Sequence, residues 1–318
     1  MINVTTENFD AEVIQASLST FVLVDFWAEW CAPCKALGPL LEKLETDYAG
    51  RFTLVKIDSD AQQELSQAFG IRSLPTCILM KDGKPLDGFM GALPEGKVRE
   101  FLDKHLPSED ALLAEADAQE AQQALASGDT ASAQERLAEA LTAQPGNDDI
   151  RYDYAKLLIG SAQLEAASAA LAPALAQIPV PLRFAALQQW VDAMRFVTTD
   201  PRGRWPLEKF DALIAVNKRD FDARFAKSRV LMVHSEWTAA MDELLEIIMR
   251  DKKWDEEAPR KTFVAILELL TPPKSKVSAD ATGKTASGIE IAGKSAVQED
   301  PQAAMVSAYR RRLSMMLN

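Results

Sequence analysis

The sequence predicts an α/β domain at the N-terminus followed by an all-α domain, and three observations carry that reading. Before His105 the chain is rich in Val, Ile, Phe and Gly. After Pro107 and Ser108 it turns to Ala, Gln, Leu and Glu with almost no β-branched residues. The first composition suits strands mixed with helices and the second suits helices alone. Within the second half, small and large apolar residues recur with a shift of 34 residues. A length of 318 residues fits two domains at about 150 residues each.

In the first segment, Phe21–Ala28 is a near-continuous apolar run of strand length, which fits a sheet covered on both faces. Cys34–Tyr48 places Leu37, Leu40, Leu41, Leu44 and Tyr48 at helical spacing. Phe52–Ile57 reads as a strand, Ala61–Phe69 as a helix and Pro75–Met80 as a strand. Asp82-Gly83 marks a hairpin turn into a returning strand, Leu86–Gly91, and Pro94–Leu106 closes the segment as a helix. Together these make a mixed sheet with helices on both faces.

In the second segment, Ala133, Leu137, Ala140 and Pro145 fall on Ala167, Leu171, Ala174 and Pro179 at the 34-residue shift. Small residues let antiparallel helices approach closely, and Pro ends each unit because it cannot continue a helix. A third unit at Phe221–Arg250 carries Ala226, Val230, Ala240, Leu244 and Ile247 off that register, so Pro181–Arg219 must hold a degenerate helical unit. The stretch 272–300 is Ser, Thr, Gly, Ala and Lys with almost no large apolar side chain, and reads as a flexible linker. The expected domains are therefore 1–107, 108–271, a linker at 272–300 and a C-terminal helix at 301–318.

A net charge of −12 leaves no surplus of Lys and Arg to neutralise phosphates, which argues against nucleic-acid binding. No apolar run approaches the ~18 residues of a membrane span. Met1–Asp10 lacks a basic start and an apolar stretch, so a reducing cytoplasm is the expected compartment. Three cysteines cannot make a disulfide scaffold, so any disulfide should be transient and chemical.

Trp30-Cys31-Ala32-Pro33-Cys34 sits where a strand ends and a helix begins. A thiol there meets the positive end of the helix dipole and unpaired backbone N–H groups, which favour the thiolate. Cys31 is expected to be the exposed nucleophile, and Cys34, one turn in, the shielded thiol that resolves a mixed disulfide. Pro33 costs nothing at a helix start and stiffens the loop. A zinc site would need a second ligand pair, and only Cys77, His105 and His234 remain, far apart in sequence. No metal and no cofactor are expected. Cys77, with apolar neighbours Ile78 and Leu79, reads as a buried core thiol.

Val24–Lys35, which contains this motif, resembles the active-site strand and helix of thioredoxin. The likeness continues at Val55–Asp58, Gly70–Thr76 and Gly91–Leu93 and covers residues 1–107. It implies the thioredoxin fold, with Pro75 as a cis-proline beside the cysteine pair and Trp30 flanking it. It also implies that a buried Asp25, with a raised pKa, takes the proton from Cys34, and that Lys56 tunes Asp25. Ala32 stands where thioredoxins usually carry Gly, which implies a modest change in redox poise.

The whole architecture resembles the bacterial chaperedoxins (CnoX/YbbN type): a thioredoxin domain, an acidic tetratricopeptide-like region and an ending that carries Tyr309, Arg310, Arg311 and Leu313. That resemblance implies a stress-response holdase. It would bind unfolding client proteins, exchange disulfides with their cysteines, and pass clients to GroEL and DnaK–DnaJ. Thiol–disulfide oxidoreductase activity would accompany the chaperone role, and a thioredoxin reductase or other dithiol donor would recycle the pair. The alternatives are a plain disulfide reductase whose helices dock one substrate, and a scaffold that uses the first domain as a platform. Met305, Tyr309, Leu313 and Met316 share one helical face next to three arginines. They are the expected docking face for a chaperonin, against the alternative of a cap on the helical array.

Overall fold

The computed structural model describes residues 2–271 and 301–317. They form two compact units that divide between Leu112 and Leu113. The expected linker at 272–300 lies outside the described residues.

The first unit opens with β1 (Ile2–Asn3), a π-helical turn at Asp10–Gln15 and α1 (Ala16–Ser19), none of which the apolar periodicity signals. Then come β2 (Phe21–Trp27), α2 (Ala32–Asp47), β3 (Phe52–Asp58) and α3 (Gln63–Ala68). A hairpin of β4 (Thr76–Lys81) and β5 (Lys84–Met90) precedes α4 (Glu95–His105). Each lies within a few residues of its expected position. The sheet order is β1-β3-β2-β4-β5, with β3 parallel to β2 and to β1, and β4 antiparallel to its neighbours β2 and β5. The apolar run of β2 is central and buried along its middle five residues, as a sheet covered on both faces requires. One face packs Leu23, Leu54 and Leu79 under α2 and α4. The other packs Val22, Val24, Phe26, Val55 and Ile57 with Val13 and Leu65. Asp82 and Gly83 both take positive φ, 53° and 74°, the backbone of a tight hairpin turn.

The second unit is helical throughout. It runs through α5 (Glu109–Ala126, which starts just before the divide), α6 (Thr130–Ala143), α7 (Asp148–Gly160) and α8 (Leu164–Leu175). Asp129 and Asn147 cap α6 and α7 by accepting backbone N–H bonds, which explains where those helices start. Ala133, Leu137 and Ala140 are buried in one cluster, and Ala167, Leu171 and Ala174 in the next, so the 34-residue equivalences hold in space. The degenerate unit is α9 (Leu182–Thr199) and α10 (Leu207–Val216), joined by a 3₁₀ turn at Pro201–Arg204. α11 (Phe221–Val233) and α12 (Trp237–Arg250) form the third pair, with Ala226, Val230, Ala240, Leu244 and Ile247 all buried. α13 (Ala258–Leu270) and α14 (Pro301–Leu317) complete the unit.

α14 packs as the cap alternative describes. Val306 and Leu313 are buried in the cluster formed by α11, α12 and α13, and Met305, Tyr309, Met316 and Leu317 pack against it. The Tyr309 hydroxyl donates to Asp242 at 3.1 Å and Arg312 donates to the same carboxylate at 2.7 Å. Arg310 donates to Thr271 at 2.9 Å, leaving Arg311 and Met315 on the exposed side. The physical reason is area: an amphipathic helix whose apolar stripe matches an adjacent apolar surface gains more by covering it than by staying in water.

Candidate active site

The site grows from the C-terminal end of β2. After Trp27 the chain turns through Ala28, Glu29 and Trp30, the Cys31 N–H donates to the Ala28 carbonyl at 3.1 Å, and α2 starts at Ala32. Cys31 is the N-cap in extended conformation, and its sulfur accepts the Cys34 backbone N–H at 3.2 Å. Pro33 occupies the first turn, where its missing N–H has no partner to lose. Cys31 and Cys34 are joined by a disulfide, with Cα atoms 5.3 Å apart. In the reduced protein the same N–H and the start of the sixteen-residue helix would face a Cys31 thiolate.

Exposure does not separate the two cysteines. Cys31 is 3% and Cys34 4% exposed, packed with Ala28, Trp27 and Leu74. The expectation of an exposed Cys31 is corrected for this oxidised form, where the bond draws both sulfurs together under Leu74. Trp30, next to Cys31 in the chain, is 70% exposed, its indole N–H donating to Asp60 at 2.8 Å. Pro75 follows a cis peptide bond from Leu74. The Pro75 carbonyl accepts the Gly91 N–H at 2.8 Å, which ties that loop to the residue after β5.

Behind the disulfide, strand register assembles a second group. Asp25 on β2 is paired with Lys56 on β3 and with Cys77 on β4. Asp25 is 1% exposed, and burial pushes its carboxyl up to about 6 while the Lys56 ammonium opposes the rise. Lys56 donates to Glu42 of α2 at 2.8 Å. Gly38 permits this arrangement, since a Cβ there would lie 3.0 Å from the Lys56 nitrogen. Cys77 donates its S–H to Asp25 with sulfur and oxygen 3.7 Å apart. Asp25, Cys34, Lys35, Gly38, Glu42 and Lys56 line one cavity of about 240 Å³. The sequence pointed to Asp25 and Lys56. Glu42 and Gly38 escaped it because the helical periodicity marks only their apolar neighbours, and the bond from Cys77 depends on register across β4.

The elevated carboxyl of Asp25 has a signed consequence for stability. An acid whose folded pKa exceeds its ordinary 3.8 binds more protons folded than unfolded. Its contribution therefore falls as pH rises from about 4 to about 6 and then levels off. Asp25→Asn should leave the oxidised protein more stable than wild type above pH 6, by at most about 3 kcal/mol. The two curves should converge below pH 4 in denaturant titrations across that range. A constant gap at every pH would show that the carboxylate is not the cause.

No helix among the described residues is long and apolar enough to cross a membrane. The thioredoxin family profile matches residues 1–104, and two tetratricopeptide-repeat profiles match 124–191 and 204–279. Thioredoxin C-2 of Corynebacterium nephridii is 42% identical over 106 residues, covering 33% of this chain and 96% of that protein. Thioredoxin of Staphylococcus haemolyticus (strain JCSC1435) is 44% identical over 106 residues, 33% of this chain and 98% of its own. Thioredoxin of Chlorobaculum thiosulfatiphilum is 40% identical over 102 residues, with shares of 32% and 93%. Through this first third the chain belongs to the thioredoxin family, and it continues as a fusion to tetratricopeptide repeats.

Proposed function

We propose that this chain is a redox-active holdase of the chaperedoxin type, working in the cytoplasm. The observation that carries the proposal is a dithiol–disulfide pair at a helix start, on the same chain as a helical repeat unit with exposed apolar side chains. Ile178, Val180 and Leu182 are 99%, 42% and 48% exposed in one short stretch. Leu182 also borders a cavity of about 290 Å³ between α9 and α13, with Ala185, Ala186, Val264 and Ala265 as its apolar lining and Gln189, Glu257, Arg260 and Lys261 as its polar lining. Apolar surface of this kind suits transient contact with unfolding chains.

The chemistry runs in two balanced steps. The Cys31 thiolate attacks a client disulfide, forming a Cys31–client mixed disulfide and releasing one client sulfur, which takes up a proton. The Cys34 thiol gives its proton to the Asp25 carboxylate, and the resulting thiolate attacks the Cys31 sulfur. The Cys31–Cys34 disulfide forms, the mixed disulfide breaks, and the second client sulfur leaves as a thiolate that takes the proton back. The client gains two electrons, the pair loses two, and an external dithiol donor such as a thioredoxin reductase system resets it. Trp30, Pro33 and the cis-Pro75 shape the surface at which the client disulfide meets Cys31.

Hand-over to GroEL and DnaK–DnaJ belongs to the same proposal. With Leu313 and Tyr309 turned inward, a chaperonin at this helix would meet Arg311 and Met315 first, or would have to draw the helix from its seat. The second reading, a plain disulfide reductase with a docking module, is favoured by relatives that are named only as thioredoxins. Light scattering separates the two. The reduced protein, at near-stoichiometric ratio, should suppress aggregation of an unrelated unfolding protein. Undiminished aggregation would leave the reductase reading alone.

A further inference from the structure

Cys77 is a buried thiol that the two-cysteine chemistry does not use, and its place in the sheet gives it a task. It lies on β4 two residues after Pro75, directly opposite Asp25 in the antiparallel register of β2 and β4. Cys77 is wholly buried and Asp25 nearly so, with sulfur and carboxylate oxygen 3.7 Å apart. On the other side of β2, Lys56 faces Asp25 in the parallel register, but its hydrogen bond goes to Glu42. From α2, Cys34, Lys35 and Glu42 face the cavity that Asp25 lines. Among the described residues, Cys77 is the side chain that donates a hydrogen bond to Asp25.

We propose that Cys77 is a positioning residue for the dithiol reaction: its S–H holds and stabilises the Asp25 carboxylate that accepts the proton of Cys34. This rests on the reading in which Asp25 serves Cys34. Burial, and next the Asp25 charge beside it, push the Cys77 thiol well above its ordinary pKa, so it stays protonated and remains a donor over the working range. A hydrogen bond to the ionised form of an acid holds its pKa down. Cys77 thereby offsets part of the desolvation that raises Asp25, and keeps the carboxylate available as a base nearer neutral pH. The bond is a weak one, as S–H donors are, so its effect is a trim on the larger burial effect.

The test is the carboxyl titration of Asp25, followed by NMR in the intact oxidised protein. Alongside it runs the pH profile of disulfide reduction by the reduced protein. Cys77→Ala should raise the Asp25 midpoint by about half a pH unit and move the reduction profile the same way. Cys77→Ser, which keeps a donor in nearly the same volume, should return both to the wild-type position or below it. An unchanged midpoint in Cys77→Ala, or equal shifts in Ala and Ser, would reduce Cys77 to a core side chain and overturn the proposal. Asp25→Asn keeps the two readings apart. If it leaves the rate and pH profile of reduction untouched, the role of Asp25 toward Cys34 fails, whatever the titration of Cys77→Ala shows.

Discussion

Cys31→Ser should reduce disulfide reduction on the order of a thousand-fold or more, to the background, because a serine hydroxyl at the helix start is not ionised at neutral pH. Cys34→Ser should behave differently: the first attack still occurs, resolution does not, and mixed disulfides with client proteins accumulate. The asymmetry is backbone geometry rather than exposure. Cys31 is the N-cap whose sulfur receives the Cys34 N–H, and Cys34 shares the cavity with Asp25. Non-reducing electrophoresis of the two variants from the same cells reads it directly. Adducts on Cys31→Ser but not on Cys34→Ser would reverse the assignment.

Deleting residues 301–318 should lower the melting temperature of the helical unit by roughly 5–10 °C. Val306 and Leu313 are 3% and 8% exposed, and burying two such side chains contributes about 3–6 kcal/mol before the cost of ordering the helix is subtracted. The Asp242 interactions with Tyr309 and Arg312 would be lost as well. Calorimetry and chaperonin co-purification on the same deletion give separate answers. An unchanged melting temperature with lost chaperonin binding would support the docking role and contradict the packing of α14.

The order of elements in the first unit was readable because β2 is apolar except for Asp25 and α2 repeats its apolar residues at helical spacing. The tetratricopeptide pairs were readable because small residues at Ala133, Ala140, Ala167 and Ala174 must sit where helices approach closely, and all four are buried. The opening helical stretch Asp10–Ser19 holds Val13, Ile14 and Leu18, but its first part, Asp10–Gln15, is π-helical and departs from the 3.6-residue period against which apolar spacing is read. The seat of α14 was invisible for a different reason. A stripe of apolar residues on a helix says that the face wants covering and not which surface covers it. The same holds at the site. The motif around Cys31 points to its chemistry on its own, whereas the Lys56–Glu42 pair and the Cys77–Asp25 bond depend on strand register and helix placement.

The central claim is that holding a client is a property of the helical unit and exchanging its disulfides a property of Cys31 and Cys34. The measurement that tests it most directly is aggregation suppression by the Cys31→Ser/Cys34→Ser double variant, using an unfolding client that contains no cysteine. The account predicts a suppression curve that overlays the wild-type curve at every molar ratio. Complete loss of suppression in the double variant would contradict it, because holding would then depend on the cysteine pair itself.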